Sequence, residues 1–576
     1  MIQLDDVSLA FSGEPLFEKV SFTLQQGERC GFVGRNGSGK STLFRLMVGE
    51  MEPDRGAVSI PNDYRIGYLQ QHIRFTQLTL LEEAALGLPD AEADHLYKAE
   101  KILFGLGFTE LDLDKNPADF SGGYHLRLHL AKVLVSNPDC LLLDEPTNYL
   151  DILSIRWLER FLKKWRGEFI LISHDREFMD AVSTHTMGIH RDKVRKIRGS
   201  SIDFFEQIIL EEEVHEKTRI KTEKKKAHMM SFVERFGAKA TKAGQAQSRL
   251  KMVEREPVLE KLNALAHLSF HFHEASFPGR KMLDMQDVHF SYTDAPLIDG
   301  VSLEFETKQR IAIIGKNGRG KSTLLRLMAG DLAPLKGTVE LSENTRIGYF
   351  GQTHIGRLNP EQRIEEEIAL VNPKLNLTEI KGIAGKMLFS GDKSMKKISV
   401  LSGGEKSRVL LGKILAKPCN LLLLDEPTHH LDIESVEALI DALEDFAGTV
   451  VIVTHSELIL RRLKLDQIIL CEERKQTLFW GDYDLFLEKI GWEEEKKEVP
   501  LKVQLSPKFP KPTKKPNEYK IKQCEEKIIA LEAQQGAAQK ALEAGDHSPE
   551  LLRSLDQRQK EIDLLYEELE LLSRPI

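Results

Sequence analysis

The chain has 576 residues, 41% hydrophobic and 29% charged, with a formal net charge of −9 at pH 7. That length exceeds what one core fills and predicts two or three domains, while the acidic balance excludes a surface that binds nucleic acid throughout. No apolar run approaches the ~20 residues of a membrane-spanning helix, and the five scattered cysteines form no C-x-x-C pair, which predicts a cytoplasmic protein without membrane association.

The opening MIQLDDVSLAF alternates apolar and polar residues like a strand and lacks the basic start and apolar core of a signal peptide. GRNGSGKST at Gly34–Thr42 then leads into a helical pattern, STLFRLM. IGYLQQ ends at Gln71, SGGY begins at Ser121 before the helical YHLRLHLAKVL, and the apolar runs CLLLD and EFILIS read as buried strands. The whole series returns 281 residues later: GKNGRGKST at Gly315–Thr323, IGYFGQ ending at Gln352, SGGE at Ser402, LLLDEPT at Leu422, and a strand ending at His455 where the first copy has His174. Five motifs in one register mean two copies of one domain. The order is that of an α/β nucleotide-binding fold with a mainly parallel sheet.

Between the copies, residues 203–281 carry two helical patterns around SFVERFGAKATKAGQAQSR. From Lys217 to Glu256 twelve Lys and Arg stand against four acids, a basic segment within an acidic chain. Ile220, Ala227, Leu250 and Val253 are placed to seam a helical hairpin with the small-residue stretch at its tip. About 30 residues at about 1.5 Å each would carry that tip roughly 45 Å. Arg235, Lys239, Lys242 and Arg249 supply charge for phosphates, and Gln245 and Gln247 hydrogen-bonding groups, a set suited to folded RNA. A solvated linker with an ordinary basic face is the competing reading. Residues 496–516 are Lys- and Pro-rich and read as an extended linker. Residues 517–576 show heptad-like apolar spacing around one turn, predicting an antiparallel coiled-coil hairpin.

The repeated motifs define the candidate chemistry. G-x-x-x-x-G-K-S between a strand and a helix turns backbone N–H groups toward phosphate oxygens. The candidate ATP-binding residues are Gly34, Asn36, Gly37, Ser38, Gly39, Lys40, Ser41 and Thr42, with Gly315, Asn317, Gly318, Arg319, Gly320, Lys321, Ser322 and Thr323. Lys40 and Lys321 are placed to reach β- and γ-phosphates, and Ser41 and Ser322 to hold Mg²⁺. Asp144 and Asp425 end a strand, suited to Mg²⁺. Glu145 and Glu426, one residue on, are suited to polarise an attacking water. His174 and His455 are candidate γ-phosphate sensors, Gln71 and Gln352 candidate contacts to Mg²⁺ and water, and Phe11 and Tyr292 candidate stacking partners for adenine. The Ser-Gly-Gly elements, Ser121, Gly122 and Gly123 and then Ser402, Gly403 and Gly404, each open a helix and offer a second anion site. Two copies arranged head to tail would set each on the other's nucleotide. His429-His430 and His271/His273 are not read as metal ligands, since the first pair adjoins Leu431-Asp432 and the second alternates along a strand-like segment.

In this order the motifs resemble the ATP-binding-cassette superfamily over residues 1–202 and 282–495. The resemblance implies two shared sites: Lys40, Asp144 and Glu145 with Ser402–Gly404, and Lys321, Asp425 and Glu426 with Ser121–Gly123. It also implies that Leu150-Asp151 and Leu431-Asp432 are the contact loop between cassettes. Tyr124 departs from the Gln or Glu common after Ser-Gly-Gly, and THSEL departs from SHDREF. Fused cassettes with the FVERFGAKATKAGQAQSRLKMVER linker resemble the ABC-F proteins. That resemblance implies a monomeric, ribosome-associated ATPase that binds near the tRNA exit site and modulates translation, by relief of stalling or gating of elongation. It also implies that the linker meets rRNA and P-site tRNA, with ATP closing the cassettes and hydrolysis releasing them. The equal spans from Gln71 to Ser121 and from Gln352 to Ser402 imply that an arm inserted in some members is absent or minimal. A ribosomal drug-resistance factor, a DNA-associated ATPase and a transporter subunit are the alternatives.

Overall fold

A computed structural model describes residues 1–11, 14–69, 75–120, 122–148, 150–190, 193–236, 252, 268–293, 295–351, 355–429 and 431–492. The predicted linker tip from 237, the Lys/Pro segment and the coiled coil lie outside the described residues, as do Gln71, Ser121, Gln352 and His430.

In the first copy nine strands form two sheets. β1 (Ile2–Phe11), β2 (Glu14–Leu24) and β4 (Arg55–Ser59) pair antiparallel in the order β2-β1-β4. The second sheet has the order β5-β6-β7-β3-β8-β9, from β3 (Arg29–Val33), β5 (Ile66–Tyr68), β6 (Cys140–Asp144), β7 (Glu168–Ile172), β8 (His185–His190) and β9 (Lys193–Arg198). Its pairs are parallel except β8 with β9. The second copy repeats both sheets with β10 (Lys281–Phe290), β11 (Ile298–Glu306), β12 (Arg310–Gly315), β13 (Lys336–Leu341), β14 (Ile347–Phe350), β15 (Leu421–Asp425), β16 (Thr449–Val453), β17 (Gln467–Glu472) and β18 (Lys475–Trp480).

Continuous apolar runs form these central strands because both faces of a parallel sheet are covered. Successive side chains of β6 alternate between two cores. Cys140 and Leu142 enter the core shared with β1 and β2, while Leu141 and Leu143 enter the core on the helical side. β15 does the same with Leu421 and Leu423 against Leu422 and Leu424. Alternation thus carries each strand straight to its C-terminal carboxylates, Asp144 and Asp425, without a buried polar side chain on the way.

A 36-residue helix, Ser201–Phe236, follows the first copy, starting two residues before the predicted linker. Its start is marked locally by Ser200 and Asp203, each side chain accepting the other's backbone N–H at 3.3 and 2.7 Å. It is tied to the fold by the Ser201 N–H and hydroxyl, which donate to Asp180 at 2.9 and 2.8 Å. Phe204 and Ile208 are buried, and none of the helix residues 209–227 or 229–231 is. Ile220 and Ala227, expected to seam a hairpin, are exposed, the second predicted helix lying outside the described residues. Residues 268–273 alternate, with Phe270 and Phe272 buried and His271 and His273 exposed. Among the described residues no cluster of metal-ligating side chains occurs, and no helix is long and apolar enough to cross a membrane.

Candidate functional site

The loop after β3 runs into the helix Lys40–Met47 through Gly39, whose φ of 97° is left-handed; a side chain there would meet the Phe17 ring at 2.7 Å. The turn folds the Lys40 side chain back, so that Nζ donates to the Gly34 and Arg35 carbonyls at 2.6 and 3.0 Å. In the second copy Lys321 Nζ donates to Gly315, Lys316 and the Asn317 side chain at 2.9, 2.9 and 3.3 Å. Gly37 and Gly318 are also left-handed, and Thr42 and Thr323 lie one turn into their helices. Arg319 pairs with Glu473 at 3.5 Å, a contact that Ser38 in the first copy cannot make.

Ser41 Oγ donates to Asp144 at 2.5 Å and Ser322 Oγ to Asp425 at 3.0 Å. Burial raises both aspartates' pKa against those bonds. The next residues, Glu145 and Glu426, have φ of 51° and 46°, a conformation uncommon outside glycine. The reversal turns each glutamate away from the strand and toward a histidine: His174 Nε2 is 3.2 Å from Glu145 Oε1, and His455 Nε2 is 3.3 Å from Glu426 Oε1. Burial and the adjacent Asp144 push Glu145 up to about 8. Burial and Asp425 do the same for Glu426, with Lys321 opposing. Burial, then Lys321, drives His455 well below its ordinary value, so it stands neutral. Both glutamates and both histidines line one cavity of about 50 Å³ between the copies.

The two copies meet head to tail. A cleft of about 890 Å³ is lined on one side by Phe11, Lys40, Ser41, Asp144 and Glu145 and on the other by Ser402, Gly403 and Gly404. Ser402 caps the helix Gly403–Leu415 reciprocally with Glu405. Gly122 and Gly123 open the matching helix, Gly122–Val135. There Tyr124, in place of an acid, packs against Phe108 and Phe120 and under the Arg127 guanidinium. Tyr292 is 59% exposed, and its hydroxyl accepts from Arg326 at 3.2 Å.

Asp151 and Asp432 tie the copies together. Asp151 spends one oxygen capping its own helix at the Ser154 N–H, 3.0 Å, and the other on the Asn317 N–H of the opposite phosphate loop, 3.3 Å. Asp432 does the same with Ser435 at 2.9 Å and Asn36 at 3.4 Å. The residues that follow exchange cores: Ile152 packs in the second copy's cluster, and Ile433 in the first's. Burial lowers the pKa of Lys40 and Lys321, each opposed by its own glutamate and by the opposite copy's contact-loop aspartate.

Arg127 was not among the expected site residues. It is 2% exposed, 3.8 Å from Asp151, and donates to the Leu106 carbonyl at 3.2 Å; its counterpart Arg408 lines the cleft with it. Their signal in the sequence is an arginine recurring at the 281-residue offset inside YHLRLHL and EKSRVLL. Arg235 lies at the end of the long helix, whereas Lys239, Lys242, Gln245, Gln247 and Arg249 fall outside the described residues.

The sequence profile of the ABC transporter family matches residues 17–148 and 298–429, the same offset again, and a second ABC transporter profile matches residues 187–272. The Escherichia coli K12 "Probable ATP-binding protein YheS" is 33% identical over 522 residues, covering 84% of this chain and 80% of the relative. The Rattus norvegicus "ATP-binding cassette sub-family F member 3" is 32% identical, covering 84% and 73%. In fold the chain is similar to an archaeal ribosome recycling factor, aABCE1, solved with a ribosomal stalk protein. That likeness has a TM-score of 0.58 and 19% identity, covering 84% of this chain and 92% of that one.

Proposed function

The chain belongs to the F sub-family of ATP-binding cassette proteins, and from that premise we propose that it is a ribosome-associated translation ATPase in which ATP closes the cassettes. Hydrolysis of ATP is the activity of its cassettes. The observation that carries the clamp reading is the cleft holding Lys40 and Glu145 from one cassette and Ser402–Gly404 from the other. A nucleotide seated there touches both, so binding favours the closed pair over the open one.

Lys40 and the loop amides neutralise the β- and γ-phosphates, while the Ser402 hydroxyl and the first N–H groups of its helix receive the γ-phosphate from across the interface. Lys321 works in the same way with Ser121–Gly123. The hydroxyl–carboxylate pairs Ser41/Asp144 and Ser322/Asp425 are hard oxygen donors of the kind Mg²⁺ takes, and Gln71 and Gln352 complete the set. Bound there, Mg²⁺ supplies positive charge to the phosphate oxygens. Glu145 and Glu426, which burial makes stronger bases than a solvated carboxylate, accept a proton from the water that attacks the γ-phosphorus. The β–γ bridging bond breaks as the new P–O bond forms, leaving ADP and phosphate. His174 and His455 hold the glutamates and orient that water. Phe11 and Tyr292, half exposed at the edges of the loops, stack on adenine.

The linker helix leaves cassette 1 with its described surface basic beyond residue 216, which supports contact with RNA phosphates. The tip residues Arg235, Lys239, Lys242, Gln245, Gln247 and Arg249 are assigned to rRNA and P-site tRNA on the resemblance alone. Ribosome co-sedimentation of the Glu145→Gln, Glu426→Gln variant tests the reading. Pelleting that requires ATP, and weakens when residues 237–247 become Gly-Ser, is the expected result. Absence of the protein from the ribosome pellet in both nucleotide states would refute it.

A further inference from the structure

The cassette interface carries charge whose arrangement the shared fold does not require. Arg156 Nε meets Glu457 at 2.6 Å, and Arg176 Nη1 meets Glu437 at 3.2 Å, with all four side chains 18–30% exposed. Both contacts run from cassette 1 to cassette 2. Under the 281-residue offset Arg156 corresponds to Glu437 and Arg176 to Glu457. The two ion pairs are therefore the two copies of one pseudo-symmetric contact, in which cassette 1 supplies both bases and cassette 2 both acids.

That placement has a consequence for partner choice. Were two first cassettes to pair in the same geometry, Arg156 of each would face Arg176 of the other, twice. Two second cassettes would set Glu437 against Glu457, twice. Neighbouring charges bear on the same choice. Burial raises the pKa of Glu177 in cassette 1, with Arg461 of cassette 2 opposing; between two first cassettes Asp180 would stand in place of that arginine. Arg35 of cassette 1 meets Glu434 of cassette 2 at 2.7 Å, but Lys316 would meet Glu434 between two second cassettes, so this pair does not reject that pairing. Glu457 and Glu437 also receive Arg461 and Arg462 from their own cassette, at 3.4 and 3.1 Å. Glu159 shares a cavity with Arg156. These same-cassette charges are present in any pairing, so they do not choose between partners.

The apolar and backbone contacts, by contrast, are indifferent. Asp151 with Asn317 and Asp432 with Asn36 use the same residue types in both directions, and Ile152 and Ile433 are identical plugs. Those contacts would form as well between like cassettes of two chains as within one chain. We infer that the Arg156–Glu457 and Arg176–Glu437 pairs select the partner: cassette 1 closes on cassette 2 and is kept from closing on a like cassette of a second copy. Complementary charge attracts the right partner, and like charge at the same positions rejects the wrong one.

The inference concerns cassette pairing and holds whatever the closed protein binds. Its test uses the full chain in three charge-reversed forms: Arg156→Glu with Arg176→Glu, Glu437→Arg with Glu457→Arg, and all four together. Each double variant sets like charges across its own interface, and its ATPase rate should fall about tenfold or more. The fourfold variant restores opposite charges and should return to within about threefold of the parent rate. Mixing gives the sharper readout. The first double variant has acids on both cassettes and the second has bases on both, so each satisfies only the other. With ATP, and with Glu145→Gln and Glu426→Gln added to prevent turnover, sedimentation should show the mixture forming a one-to-one two-chain complex, while each alone stays a single chain. Thermal melting confirms that all three forms are folded, and the fourfold rescue stands even if a double variant melts early. Double variants that hydrolyse ATP at the parent rate, a folded fourfold variant that stays inactive, or a mixture that remains single chains would each overturn the inference. A fourfold variant that hydrolyses ATP but ignores ribosomes would instead count against the translation reading alone.

Discussion

Ile433→Ala separates closing of the cassettes from stability of either one. Ile433 is 5% exposed, and the apolar cluster that buries it belongs to cassette 1, although the residue begins the cassette 2 helix Ile433–Asp445. The substitution removes three carbons, worth about 0.8 kcal/mol each when buried, or about 2.4 kcal/mol. That loss falls on the closed state alone, because separation exposes the side chain. The better helix propensity of alanine is present in both states and cancels. At about 1.4 kcal/mol per factor of ten, the closing equilibrium should fall about 50-fold. Dyes on the two cassettes report it by energy transfer during an ATP titration in the Glu145→Gln, Glu426→Gln background. The melting temperature should hold or rise slightly. Ile152→Ala, at the matching position in the cassette 2 cluster, should behave alike. A lowered melting temperature with an unshifted closing curve would show that Ile433 packs its own cassette, and the exchanged-core reasoning would fail.

Gly37→Ala and Gly39→Ala make an internally controlled pair: both positions are left-handed, but only the added carbon at Gly39 meets neighbours, Phe17 at 2.7 Å and Leu16 at 2.9 Å. Urea melts should show about 1 kcal/mol lost at Gly37 and appreciably more at Gly39. Arg127→Met leaves the Asp151 carboxylate buried without its cation, a loss of about 3–5 kcal/mol and so roughly 10 °C in a cassette-sized unit by calorimetry. Although burial opposes its charge, Arg127 and the Ser154 N–H hold Asp151 below the usual carboxylate range. Its contribution to stability is thus full above about pH 4 and is lost as pH falls through the folded value. The stability gap between the parent and Arg127→Met should accordingly narrow as pH falls below about 4. Chelating Mg²⁺ should abolish phosphate release while leaving the melting temperature of the nucleotide-free protein unchanged.

The cassettes were legible because their signals are local. A phosphate loop, an apolar strand ending in Asp-Glu and a capped Ser-Gly-Gly helix each occupy a few consecutive residues, and the 281-residue offset confirmed each by its twin. The alternation of β6 and β15 between two cores could be anticipated from the same short runs. What escaped is non-local. Arg127 on its helix looks like a solvated base until folding sets it 3.8 Å from Asp151. The bonds that anchor the long helix at Ser201 come from Asp180, 21 residues earlier, although the local Ser200–Asp203 capping pair marks the same start. The reversed charges at Arg156, Arg176, Glu437 and Glu457 read as ordinary helix-surface residues until their partners are known. The departure of THSEL from SHDREF shows the Arg176/Glu457 difference in the sequence, but not that the cassette opposite supplies the partner.

In the proposed clamp cycle the contact loops couple the closing of one site to that of the other. Asp151 joins three elements with one carboxylate: its own helix through Ser154, the Ser-Gly-Gly helix through its buried Arg127, and the opposite phosphate loop through the Asn317 N–H. Ile152, next along the chain, is a plug in the opposite core. Moving cassette 1 away from Lys321 therefore exposes Ile152 and breaks the Asn317 bond in one motion. The mirror contacts of Asp432 and Ile433 break with it, because both loops belong to the same pair of rigid bodies. Nucleotide held at either site resists that separation at both. In that cycle the Arg319–Glu473 pair, a contact that Ser38 cannot make beside the first phosphate loop, acts on the rate at its own site, while release of the clamp answers to whichever site holds longer.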